Sequence, residues 1–111
     1  MSLVHAESGD VVSVRPLADA LANAVSTAIV RTPHLELIRT VLHAGRHVPE
    51  HKIEGELTLQ CIEGELIVRA YGRDITLAPG QMLFLGGGVP HAVEAVKDSS
   101  ALLTLLRVKA Q

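Results

Sequence analysis

Residues Gly45–Gly64 read GRHVPEHKIEGELTLQCIEG. Leu57 to Ile62 alternates as a strand does, and Ala44-Gly45, Glu54-Gly55 and Glu63-Gly64 around it are turn signals by composition. Glu63-Gly64 reads as a tight hairpin between that strand and the alternating run Leu66 to Tyr71. Alternate residues of an extended chain face opposite sides, so His51 and Ile53 are expected to point the same way.

Outward from this stretch the same period-two pattern recurs. Val25 to Arg31, Leu35 to His43, Ile75 to Leu77, Met82 to Leu85, Ala92 to Val96 and Ala101 to Val108 are all short β-like runs. Thr32-Pro33, Gly72 to Asp74, Pro79-Gly80, Gly86 to Pro90 and Lys97 to Ser100 punctuate them. Strands this short and regularly spaced, without helices between them, predict an all-β antiparallel sandwich or barrel. Upstream, Val11 to Val14 reads as a short strand, and PLADALANA after Arg15 as one or two turns of helix. The N-terminal strand and helix are thus expected over about 10–24, and the barrel core over about 35–108.

A chain of 111 residues suffices for one domain with a single core, so one domain spanning 1–111 is expected. Its formal charge of −2 supplies no field for nucleic acid or an anionic membrane, and its 2% aromatic content no stacking platform for single strands. Neither partner is expected. The apolar runs fall far short of the ~20 residues that cross a bilayer. With Cys61 the only cysteine and no apolar signal core at the start, a cytoplasmic setting is the expectation.

The second informative stretch, Gly80–Ala95, reads GQMLFLGGGVPHAVEA. Together the two stretches resemble the paired motifs of the cupin superfamily, the small RmlC-like double-stranded β-helix or jelly-roll barrels. The first family motif places Gly, His, His, Glu and Gly where this chain has Gly45, His51, Ile53, Leu57 and Gly64. The second places Gly, Pro, Gly, His and Asn where this chain has Gly80, Gly86, Gly88, His91 and Ala95. No insertion is needed in either. The resemblance implies a jelly-roll barrel with a pocket inside it, to which the pattern read above adds a short N-terminal helix. It selects no activity, since cupins include dioxygenases, isomerases, epimerases, decarboxylases, sugar-sensing domains and storage proteins.

In metal-binding cupins three histidines and a glutamate converge on an ion with open positions. Here the resemblance leaves His51 and His91, with hydrocarbon at the other two places. Two neutral imidazoles lack the third donor and the charge that usually hold a divalent catalytic ion. The expected ligand pocket is therefore His51, Ile53, Leu57 and His91, with no cofactor. If a divalent metal (Fe, Ni, Mn or Zn) binds, His51 and His91 are its ligands.

Other residues are weaker candidates. His47 shares parity with His51 but lies ~13 Å along an extended strand. Glu56 reaches the vacant position only through a one-residue slip of register. Glu54 reads as solvated, Cys61 as a small core residue, and His5, His34 and His43 as surface or packing histidines. Gly86 to Gly88 lacks the order of a phosphate loop and reads as a flexible approach to His91. Arg31, Arg39, Arg69 and Arg73 read as solvated.

The expected function is small-molecule binding or sensing without a firmly held metal. The alternatives are a metal-dependent dioxygenase or isomerase using His51 and His91, a metal-free proton-transfer enzyme using the same pair, and a structural barrel. The exposed alternation of LELIRTVLH, with the family's habit of pairing, implies a homodimer.

Overall fold

The structure is a computed structural model that describes residues 5–108. Seven strands follow one short helix: β1 Thr27–Arg31, β2 Leu35–Leu42, β3 His47–His51, β4 Leu57–Ala70, β5 Arg73–Leu77, β6 Met82–Leu85 and β7 His91–Leu106. Every pairing is antiparallel.

Two long strands, β4 and β7, form the spine, paired from Leu57↔Leu105 to Arg69↔Ala92. Each changes its second neighbour halfway. The first part of β4 pairs with β6 and the last part with β5, whereas β7 pairs first with β3 and then with β2. One continuous ladder therefore folds into two layers, β1-β2-β7-β4-β6 and β3-β7-β4-β5, which is the jelly-roll arrangement.

Between the layers lies one core. Leu57, Leu59 and Cys61 from one half of β4 join Leu66, Val68 and Ala70 from the other, with Leu77, Leu85, Ala95 and Ala101. Each fully buried leucine contributes about 1.5–3 kcal/mol through loss of apolar surface to water. The inward set is odd-numbered before Cys61 and even-numbered after it. Register irregularities between Cys61 and Leu66 produce that change of parity.

Here the expected hairpin at Glu63-Gly64 is corrected. The chain does not reverse; β4 runs through for 14 residues. Gly64 takes a φ of +88° in a bulge packed on β7, where a Cβ would lie 2.7 Å from Ser99 Cα. The Ser99 side chain replaces lost ladder bonds. Its Oγ accepts from Glu65 N at 2.9 Å and lies 2.7 Å from the Lys97 carbonyl it donates to. The same alignment removes the expected turn at Lys97 to Ser100, and β7 continues for 16 residues.

The expected strand at Val11 to Val14 is also absent. That segment has no ladder partner among the described residues, and Val11 is 97% exposed. The helix forms over Ala18–Asn23, but as a 3-10 turn that buries only Leu21. One apolar anchor is too little to sustain α-helix packing, and short 3-10 runs serve as connectors.

Candidate functional site

β3 is an edge strand, so Pro49 can lie in it without removing a needed donor. Its ladder to β7 is irregular between Val48 and His51 and resumes with His51 directly opposite His91. The two rings stack at a tilt, centroids 4.4 Å apart and planes at 53°. His91 is buried and 5% exposed, whereas His51 is exposed at the rim.

Each ring is held by the backbone carbonyl two residues before it. His51 Nδ1 donates to the Pro49 carbonyl at 3.1 Å, and His91 Nδ1 to the Val89 carbonyl at 2.9 Å. The glycine run before His91 is docked on the segment after β3. Gly88 N donates to the Ile53 carbonyl at 2.8 Å, and a Cβ on Gly87 would lie 3.4 Å from the Glu54 carbonyl carbon. This docking ties Ile53 to the His91 loop.

Both histidines line a cavity of about 120 Å³ between the layers, with Ile53, Leu57, Thr40 and Leu103 among its walls. All four residues singled out in the sequence, His51, Ile53, Leu57 and His91, thus meet around one space. Ile53 lies beyond the end of β3, yet it faces the same side as His51, as alternation predicts.

The remaining candidates lie elsewhere. His47 is exposed opposite Glu94, and Glu54 and Glu56 are exposed outside the cavity wall. Cys61 is fully buried in the core, and burial pushes its thiol pKa up. His43 lies 3.2 Å from the Ala24 carbonyl and 3.8 Å from Asp98. Arg31 pairs with Glu36, and Arg69 with both Asp74 and Glu94.

Arg39 corrects the reading of the arginines as solvated, because it is 9% exposed. Odd parity on β2 turns it to the outer face, where Nη2 donates to the Ser13 carbonyl at 3.1 Å and Nη1 is buried without a partner. Glu63 is the other polar residue missed by sequence. It accepts from Leu17 N at 2.8 Å, Ala18 N at 3.0 Å and the Ser100 hydroxyl. Neither was readable from spacing, since both depend on the arm before β1 lying across the sheet.

Ile53 and Leu57 offer hydrocarbon, and among the described residues no group of three or more His, Cys, Asp or Glu converges. His51 and His91 supply two nitrogen donors, one fewer than the three protein ligands of catalytic zinc sites.

Residues 38–107 match the family described as "Cupin domain". No curated protein matches the chain. Among solved structures, a conserved protein of unknown function from Streptococcus pyogenes is 22% identical with a TM-score of 0.75, over 99% of this chain and 98% of that one. A cupin superfamily protein from Desulfitobacterium hafniense DCB-2 is 18% identical with a TM-score of 0.76, over 93% of this chain and 100% of that one. An RmlC-like cupin from Desulfovibrio desulfuricans is 27% identical with a TM-score of 0.68, over 92% and 97% respectively. With the domain match spanning most of the barrel and the jelly-roll topology in agreement, the chain belongs to the cupin family.

Proposed function

We propose that this cupin binds or senses a small molecule in its barrel cavity and holds no catalytic metal firmly. The observation that carries the reading is one cavity walled by Ile53, Leu57 and Leu103, with His51 and His91 facing each other at its edge. Largely apolar pockets with a few convergent polar groups are the usual form of small-molecule sites.

The test is a ligand screen by thermal unfolding. A molecule that binds only the native state stabilises it by about 2.7 kcal/mol at a hundred times its Kd. In a domain of this size that corresponds to a rise in Tm of roughly 10 °C or more. Leu103→Phe, which fills the cavity from its wall, should abolish the rise. Hits that persist in that variant place binding elsewhere, and a structural barrel would give no hits.

A metal-dependent dioxygenase or isomerase is the second reading, favoured by one observation: both rings have Nδ1 engaged and Nε2 left for coordination. Metal analysis of tag-free protein decides it. Stoichiometric Fe, Ni, Mn or Zn, lost in His51→Ala, would replace the first reading.

We further propose a homodimer, through the outer face beside β6 rather than through LELIRTVLH, because no residue of Leu35–Leu42 is exposed. Met82 and Phe84 lie there, opposite Gln60 and Thr58, and are 60% and 58% exposed. Leu106 on β7 is 46% exposed. Contiguous apolar exposure of this kind is typical of protein interfaces.

A further inference from the structure

A carbonyl oxygen only accepts hydrogen bonds. His51 Nδ1 lies 3.1 Å from the Pro49 carbonyl and His91 Nδ1 2.9 Å from the Val89 carbonyl, so each ring carries a proton on Nδ1. The polar atom that each ring has left is Nε2, which accepts when the imidazole carries a single proton. Two other polar walls are already committed. The Ser99 hydroxyl points its proton at the Lys97 carbonyl 2.7 Å away, and Ser100 gives its proton to Glu63. Thr40 supplies the remaining hydroxyl. Among the described residues, no Lys, Arg, Asp or Glu lines the cavity.

This inventory discriminates between ligand classes. A carboxylate or phosphate would give up its water with no Lys or Arg to receive it, and an ammonium would do so with no carboxylate. A plain hydrocarbon would leave the lone pair of His91, which is 5% exposed, buried without a donor. Size sets a further limit. A dry cavity of roughly 150 Å³ takes a benzene-sized guest, and this one is about 120 Å³.

From these observations we infer that the cavity takes a neutral alcohol, phenol or enol of roughly benzene size, presenting its hydroxyl hydrogen to the Nε2 atoms of His51 and His91. The inference rests on the reading of the cavity as a binding site.

Phenol and toluene, equal in size and shape, are the probes. Their affinities are measured by calorimetric titration of metal-free native protein, His51→Phe and His91→Phe. Phenol should lose about fivefold or more in His91→Phe while toluene changes by less than about twofold. The native protein gives a readout that does not depend on the variant folding. Phenol, and not toluene, should shift the histidine Nε2 resonances in a 15N spectrum.

Equal losses for both probes, or Nε2 resonances unmoved by bound phenol, would overturn the hydroxyl assignment and leave the cavity as a binding site. Failure of both probes to bind native protein would overturn the assignment and the cavity reading together. Stoichiometric Zn²⁺ binding that displaces phenol would show the pair to be a metal site and end the proposal.

Discussion

Glu63 accepts a hydrogen bond from the backbone amide of Leu17, 46 residues earlier in the chain, at 2.8 Å. With its second oxygen on Ala18 N and the Ser100 hydroxyl also bound, one carboxylate pins the arm before β1 across the outer face of the barrel. The buried Arg39 guanidinium adds favourable charge.

The pH dependence of stability follows. Desolvation works to raise the Glu63 pKa, but the Ser100 hydroxyl, the Leu17 and Ala18 amides and Arg39 together hold it below its ordinary 4.5. A depressed carboxylate contributes stability above the unfolded pKa and loses it as pH falls through the folded one. Glu63→Gln should therefore cost roughly 1–3 kcal/mol at pH 7, since it weakens charge-assisted bonds and leaves Arg39 uncompensated. Urea denaturation at descending pH should show the gap between native protein and variant closing below pH 4.5. A constant gap would rule out the carboxylate as its source.

Gly64→Ala separates a bulge from an ordinary turn. The new Cβ would meet Ser99 Cα at 2.7 Å in a conformation with φ +88°, and about 2–4 kcal/mol of destabilisation is expected. Gly72→Ala has a similar φ of +72° and open space around it, so it should cost only about 1–2 kcal/mol. Equal losses of denaturation midpoint would mean that close packing on β7 contributes nothing.

Cys61 is 0% exposed, and burial raises its thiol pKa. A thiol that is both protonated and inaccessible reacts slowly. In the native protein at pH 8, alkylation should proceed only through opening of the barrel, and should accelerate by orders of magnitude in denaturant. Immediate stoichiometric labelling of folded protein would contradict the packing of β4. Cys61→Ser should cost about 1–3 kcal/mol by burying a more polar group in the core, even with the Glu63 carbonyl near enough to accept from it.

The proposed dimer gives a direct measurement. Light scattering should find twice the chain mass for native protein and a folded monomer for Phe84→Glu, a loss of about 2–4 kcal/mol of association energy. A native monomer would remove the interface.

Much of the barrel is legible from the residues. Period-two alternation and turn-forming pairs locate most strands, and alternation places Ile53 on the side of His51; Leu57 and His91 join them only through the resemblance to the cupin motifs. What sequence could not decide is what Glu63-Gly64 does. A glycine at positive φ serves a hairpin or a bulge equally well, and only the position of Ser99 across the ladder selects the bulge. That one choice makes β4 continuous and inverts which of its residues face the core. Arg39 and Glu63 escaped for the same reason. Their burial depends on an arm without periodic pattern folding over the sheet, and so on contacts between residues far apart in the chain rather than on any local preference.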